Sequence, residues 1–342
     1  MKRGFVCLLT LWIAFTAIAQ EKKLAAYSIA FYNLENLFDT IPGPNDKEYT
    51  PSGPTKWDTF KYTNKLNKMA YALDQLAKEK CPIGPAVIGL AEIENKSVLE
   101  DLVRTGDFAK KNMQVVHYDG PDPRGVDCAL LYNPKLFQYE GSESRTVIDH
   151  EEPKFKTRDQ LVVRGRISGE LFHIIVLHWP SRRGGEERSR PKRAMCARVT
   201  KSIVDSIQQV APESRIVVMG DFNDDPFNIP VKDVLGAKKK QEQVKENGLY
   251  NPFWQILDKG IGTLAYQGKW NLFDQIIISE NLLGKDRSTL KYWQAEVFNR
   301  DFLKNQEGSY KGYPLRTHAG GVWQNGYSDH FPTIIYMLKE VK

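Results

Sequence analysis

Short apolar runs recur along the chain, and several of them are followed directly by polar residues. The clearest run covers residues 215–219 and ends at Gly220. Runs of this length that are rich in valine and isoleucine are typical of buried β-strands. Similar patterns predict strands at residues 26–31, 85–91, 113–118, 126–132, 142–148, 160–167, 171–177, 273–279 and 331–337.

Helical periodicity is clearest at residues 62–80, where apolar side chains recur every three or four positions. Helices are also predicted at residues 97–104 and 194–210, and in part of 231–257. Strands and helices alternate only partly, and hairpin-like pairs occur between residues 126 and 177. The pattern therefore predicts an α/β sandwich with mixed strands, helices outside and one core.

Asp221 and Asn223 follow the run at 215–219. In extended chain every second side chain points the same way, so these two are expected to share a pocket. A carboxylate can hold a hard cation or a water, and an amide can contact a phosphate oxygen. The alternative interpretation is that both residues only begin a turn and cap the next helix.

The same arrangement recurs at other predicted strand ends, which carry Asn33, Glu92, His178, and Asp329 with His330. Ligand sites often form where the ends of strands converge. We therefore expect all of these residues to lie together in one polar pocket.

These stretches resemble the endonuclease/exonuclease/phosphatase family, whose members are metal-dependent phosphoesterases. The matching segments contain Asn33, Glu92, His178, Asp221 with Asn223, Asp274, and Asp329 with His330, in an order that covers nearly the whole chain. The resemblance implies a four-layer α/β/β/α sandwich with two mixed, mainly antiparallel sheets, as in deoxyribonuclease I. It also implies hydrolysis of phosphoric esters.

The resemblance implies that Glu92 holds a divalent cation, with Asn33 and Asp329 close by. Mg²⁺ suits a site with few acids because it keeps several waters, and Mn²⁺ or Ca²⁺ are alternatives. Glu94 competes with Glu92 because alternation places both on one side of the strand. Glu92 is favoured because it directly follows the apolar run.

Catalytic roles are likewise implied by the resemblance. His330 would contact the scissile phosphate or act as general acid or base, and Asp274 would orient its ring. Asp221 would align or deprotonate the attacking water, while Asn223 and His178 would stabilise the phosphoryl oxygens. The identity of the base and the number of metals stay open.

Four arginines are candidates for substrate binding. Arg124 and Arg158 lie in segments that resemble substrate-facing stretches of the family. Arg182 and Arg183 begin a charged segment, residues 181–193, that could follow a polyanion backbone. An equally good alternative is a solvated loop whose charges are neutralised by Glu186 and Glu187.

The N-terminal residues and the composition also predict where the protein is located. A positive start, an apolar stretch at residues 5–18 and a small-residue end at Ala17–Ala19 predict a signal peptide of residues 1–19. The remainder, residues 20–342, is expected to form a single domain without a membrane anchor, in the periplasm or outside the cell. Its net charge of +4, after Lys2 and Arg3 are removed from the total of +6, permits an anionic substrate without requiring one.

The sequence thus predicts an exported, divalent-metal-dependent phosphodiester hydrolase, most simply an endonuclease acting on nucleic acid. A second hypothesis is a phosphoesterase that acts on a phospholipid head group or a phosphorylated small molecule. A third is a binding protein of the same fold without turnover, which the intact set of site residues disfavours.

Overall fold

Two six-stranded sheets pack face to face in the computed structural model, which describes residues 23–43 and 48–341. The predicted signal peptide lies outside the described residues. The elements in chain order are β1 (Lys23–Leu37), α1 (Thr59–Gln75), β2 (Val87–Ile93), α2 (Lys96–Val103), β3 (Gln114–His117), β4 (Asp127–Tyr132), β5 (Phe137–Arg145), β6 (Gln160–Ile167), β7 (Glu170–His178), α3 (Glu186–Val210), β8 (Arg215–Asp221), β9 (Leu249–Tyr250), α4 (Phe253–Leu257), β10 (Leu264–Tyr266), β11 (Lys269–Asn271), β12 (Asp274–Ser279), β13 (Lys291–Val297), β14 (His318–Ala319), β15 (Val322–Trp323) and β16 (Thr333–Val341).

The first sheet has the strand order β13-β16-β1-β2-β4-β3, and the second has the order β5-β6-β7-β8-β12-β9. Strand β1 runs parallel to β2, and β7 runs parallel to β8, while the other pairs in both sheets are antiparallel. The predicted fold of two mixed, mainly antiparallel sheets is confirmed.

Alternation along the central strands explains the four layers. In β8, Val217 and Met219 join the core between the two sheets, whereas Ile216 and Val218 pack with residues of α3. Strands β7 and β12 divide in the same way. Because both faces are covered, these strands read as continuous apolar runs rather than as alternating ones.

Helix boundaries differ from the sequence-based predictions. Helix α1 ends at Gln75 rather than at residue 80, because Ala77 adopts a left-handed conformation with φ of 61°. Helix α3 begins at Glu186, eight residues before the predicted start, and includes Pro191. The charged segment is helical here because Glu186 pairs with Arg190 one turn away, at 2.6 Å.

Strand β1 is also longer than predicted. It continues past Phe31 to Leu37, with an irregularity in its pairing with β2 between Asn33 and Leu37. Glu35 and Asn36 have positive φ angles there, of 50° and 58°. Asn33 is therefore held within a paired strand instead of following one.

The close approach of β7 and β8 requires a glycine at position 220. A Cβ atom at Gly220 would lie 2.0 Å from the carbonyl oxygen of Leu177. We expect Gly220→Ala to lower the free energy of unfolding by about 1–3 kcal/mol, because a backbone carbonyl cannot move aside without shifting a strand. Urea denaturation measures the change. Gly141→Ala is the control, since a Cβ there meets no atom within 4 Å. Equal midpoints for the two variants would contradict the prediction.

Candidate active site

Three predicted site residues lie side by side in the second sheet. His178 ends β7 opposite Asp221 at the end of β8, and Asp221 is in turn opposite Asp274 at the start of β12. Each continues the face of its strand that lies against the first sheet, because Val176, Met219 and Ile276 two positions away belong to that core. The polar site thus replaces the last layer of apolar residues between the sheets.

The first sheet supplies the partners. Asn33 of β1 donates a hydrogen bond from Nδ2 to Oδ2 of Asp221 at 3.1 Å. His330, just before β16, joins its Nδ1 to Oδ2 of Asp274 at 2.6 Å. All four of these side chains are buried. The site therefore spans both sheets, and each pair has one member from each.

His330 is held between carboxylates. Its Nε2 lies 3.8 Å from Oδ1 of Asp329 and 4.0 Å from Oδ2 of Asp221. Burial alone lowers the pKa of His330, but the charge of Asp274, followed by that of Asp329, outweighs burial and raises this pKa well above 6.5. The surrounding acids therefore favour the charged form of the ring, and Nε2 is directed towards Asp329 and Asp221.

His178 behaves in the opposite way. Burial, then the positive charges of Arg158 and Arg124, lower its pKa well below 6.5, so that the ring is neutral. Its Nε2 lies 3.6 Å from Oδ2 of Asp221 and 3.9 Å from Oε1 of Glu92. Two histidines of the same site are thus held in different protonation states.

Asp221 is the central acid of the cluster. Burial raises its pKa above the usual range, although the charge of His330 opposes the change. Its Oδ1 accepts a hydrogen bond from the backbone N–H of Asn223 at 2.9 Å. Asn223 has a positive φ of 49°, and its Nδ2 donates to the carbonyl of Trp179 at 2.9 Å. The turn after β8 is therefore tied to the end of β7.

Glu92 fits the requirements of a cation ligand. Only 13% of its side chain is exposed, and Oε1 has Nη1 of Arg124 and Nε2 of His178 at 3.9 Å, too far for a hydrogen bond. Its other oxygen accepts from the N–H of Asn36 at 3.1 Å. Glu92 also has a φ of 63°, and such backbone strain is common at functional sites. A partly exposed carboxylate oxygen whose nearest positive groups are too distant for a hydrogen bond suits a divalent metal.

Asp329 lies on the other side of His330 and is partly exposed. Arg316 donates to its Oδ2 at 2.9 Å and to Oε1 of Glu35 at 3.3 Å. The charges of Glu35, Asp329 and Glu92 all act on the buried amine of Lys65, so the three carboxylates share one neighbourhood. Asn33 lies beside them, with its Oδ1 accepting from the N–H of Glu35 at 2.9 Å.

Glu35 and Arg316 were not predicted as site residues. Burial and the charge of Asp329 raise the pKa of Glu35 above its usual range. Its position two residues after Asn33 was a usable signal, because alternation favours a shared side. Arg316 carries no comparable signal, since it reaches the site from a long segment whose path the sequence does not reveal.

The four predicted substrate-binding arginines occupy different environments. Arg158 is buried and donates to Oδ2 of Asp122 and to the carbonyls of His178 and Trp179. Arg182 donates to the carbonyl of Asn223 at 2.9 Å and to acids after β8, and it stacks on Phe273. These two guanidinium groups support the loops of the site, whereas Arg124 and Arg183 line an open cleft beside it.

The model of the endonuclease/exonuclease/phosphatase family matches residues 28–339. The chain belongs to this family. Members are phosphoric ester hydrolases and are typically dependent on a divalent metal, in agreement with the acidic clusters described here. The chain is also 24% identical over 215 residues to the protein angel of Drosophila melanogaster, and the match covers 60% of this chain and 57% of that protein.

Solved structures of the family share this fold at low sequence identity. TDP2 of D. rerio with a single-strand DNA product superposes with a TM-score of 0.56 and 14% identity, over 92% of this chain and 99% of that one. ANGEL2, a 2′,3′-cyclic phosphatase, superposes with a TM-score of 0.56 and 14% identity, over 95% of this chain and 100% of that one. A mannosyl-6-phosphatase of Bacteroides thetaiotaomicron superposes with a TM-score of 0.54 and 13% identity, over 91% of this chain and 99% of that one.

Across the described residues, none of the helices combines the length and apolar character needed to span a membrane.

The His330–Asp274 pair leads to a prediction about titration. In the chain without added metal, we expect the His330 ring to titrate well above pH 6.5. Asp274→Asn should lower this pKa, because the nearest negative charge is lost while burial continues to disfavour the charged ring. NMR titration of the imidazole protons measures both values. The control is Asp101→Asn, which removes an acid that contacts Tyr62 and not the site. A His330 titration that Asp274→Asn leaves unchanged would be inconsistent with this pairing.

Proposed function

We propose that this protein is an exported, divalent-metal-dependent phosphodiester hydrolase that acts on nucleic acid by in-line attack of an activated water. The observation that carries the proposal is the His330 ring, hydrogen-bonded to Asp274 at 2.6 Å and beside the buried carboxylate of Asp221, with acids around it that favour its charged form. A fixed cation next to a base of raised pKa suits attack on a phosphate diester. Export is supported by the pattern of residues 1–19, and a mature chain beginning at Gln20 would test it.

The side chains divide the work. Asp221 orients the attacking water and takes its proton as the new oxygen–phosphorus bond forms. The phosphorus–oxygen bond on the opposite side breaks at the same time, and the leaving ester oxygen takes a proton from solvent. His330 donates from Nε2 to a phosphoryl oxygen, and the neutral ring of His178 and the amide of Asn223 face the charge that develops there. Asp274 holds the His330 ring in place and favours its charged form.

Glu92, Asn33 and Asp329 would hold the metal, and Mg²⁺ is the first choice because the candidate ligands are oxygens and include only two carboxylates. Mn²⁺ is the second choice, and Ca²⁺ is a third. A bound cation would supply positive charge to the phosphoryl oxygens.

The metal assignment predicts a difference between two neighbouring acids. We expect Mg²⁺ or Mn²⁺ to raise the melting temperature of the wild type, since a ligand that binds only the folded state stabilises it. Glu92→Gln should abolish this increase. Glu94→Gln is the matched control and should retain it, because Glu94 accepts from the N–H of Asp39 instead. Differential scanning fluorimetry with and without EDTA decides the matter. If only Glu94→Gln removed the increase, Glu94 would be the ligand.

Two observations support nucleic acid as the substrate. The solved TDP2 structure that shares this fold contains a single-strand DNA product. Arg124, whose Nη1 is 3.9 Å from Glu92, brings positive charge to the edge of the site. A phosphorylated small molecule or lipid head group is the second candidate, because other structures of this fold are a 2′,3′-cyclic phosphatase and a mannosyl-6-phosphatase.

A substrate panel tests the proposed function. Plasmid DNA, a single-stranded oligonucleotide and bis(p-nitrophenyl) phosphate are incubated with Mg²⁺ or Mn²⁺. We expect cleavage of all three, and His330→Ala should reduce kcat about 10²–10⁴-fold, the usual contribution of a positioned proton donor. Hydrolysis of bis(p-nitrophenyl) phosphate alone would exclude nucleic acid as the substrate but would still support phosphodiesterase activity. Inactivity on all three substrates would favour the second candidate or a binding protein.

A further inference from the structure

A cleft of about 600 Å³ beside the active site is lined by positive side chains. These are Arg124, Lys156, Arg158, Arg183, Arg188 and Lys192. Among the described residues, the cleft has no carboxylate in its lining. We call it the basic cleft. Its positive charge distinguishes it from the active site, where acids dominate.

Three of the six cations lie next to an acid, and two of them share the same carboxylate. Arg158 pairs with Asp122 at 2.8 Å, and Arg124 lies 3.5 Å from the same acid. Lys192 pairs with Asp149 at 2.9 Å. These interactions fix the floor of the cleft.

The other three cations, Lys156, Arg183 and Arg188, are exposed and form no ion pair within the part of the chain that the structure describes. The acids nearest in sequence are occupied elsewhere, because Glu186 and Glu187 both pair with Arg190. The expectation of a self-neutralised loop therefore holds for Arg190 but not for Arg183 and Arg188. Like charges gathered in one concave surface attract an anion.

The basic cleft and the active site share part of their framework. Arg124 lines the cleft and approaches Glu92, and Arg158 lines the cleft and holds the backbone carbonyls of His178 and Trp179. Arg124 and Arg158 therefore connect the cleft to residues of the active site.

We propose that the basic cleft binds a second phosphate of the substrate, one that is not cleaved, through Lys156, Arg183 and Arg188. This inference rests on the proposed function, because it assumes that the substrate is a phosphoric ester. It restricts the substrate to esters that carry more than one phosphate. A neighbouring phosphate of a polynucleotide strand and a second phosphate of a small molecule share this chemistry. Arginine and lysine are the residues that bind such groups most strongly.

Binding without catalysis is the first test. Inorganic pyrophosphate is added to the full chain in EDTA, and the melting temperature is measured. We expect pyrophosphate to raise it in the wild type but not in the double variant Arg183→Ala/Arg188→Ala. Arg198→Ala removes one positive charge from α3 outside the cleft and should behave as wild type. An equal increase in the double variant, or no increase in the wild type, would overturn the proposal.

Kinetics distinguish the cleft from the catalytic site. The double variant should increase the KM for an oligonucleotide more than the KM for bis(p-nitrophenyl) phosphate, which has only one phosphate. For the double variant, the slope of log binding constant against log salt concentration should decrease in magnitude by about one for each phosphate that it no longer neutralises. A parallel decrease in kcat/KM on both substrates would overturn the proposal. If pyrophosphate binds through these arginines but the oligonucleotide neither binds nor is cut, the cleft is a phosphate-binding site and nucleic acid is excluded as the substrate.

Discussion

The hydrogen bonds that cross between the two sheets organise this protein. Asn33 meets Asp221, and His330 meets Asp274, each pair joining one sheet to the other. Such bonds form only if the sheets are aligned to within a fraction of an ångström. The apolar core between the sheets sets that alignment, so the packing of residues far from the site controls its geometry.

Buried charge is the second constraint on the site. A carboxylate removed from water is costly unless a cation or hydrogen bonds compensate it. Here Asp274 is compensated by His330, and Glu35 by Arg316 and the N–H of Thr317. Glu92 is the acid whose Oε1 has positive groups only at 3.9 Å. The uneven compensation distinguishes the acids that shape the site from the one best suited to a metal.

The arginines around the site follow the same division of roles. Arg158 holds the backbone at the end of β7, where His178 lies, and Arg182 holds the turn after β8 that carries Asn223. Arg183 and Arg188 are left facing solvent in the cleft. Neighbouring arginines of one charged segment thus perform separate tasks, and only their tertiary environments reveal which.

The sequence by itself determined most of the long strands, an α/β sandwich and many polar residues of the site, because periodicity and short motifs are local properties of the chain. The four-layer class came from the family resemblance, and the pattern did not predict β13. It placed the ends of β1, α1 and α3 wrongly, since left-handed residues and side-chain pairs there depend on the surrounding fold. Only the tertiary structure decided that Arg316 reaches Asp329 and Glu35, and that Arg182 faces inward while Arg183 faces the cleft. The physical reason is that these interactions join residues far apart in the chain, so no local pattern encodes them.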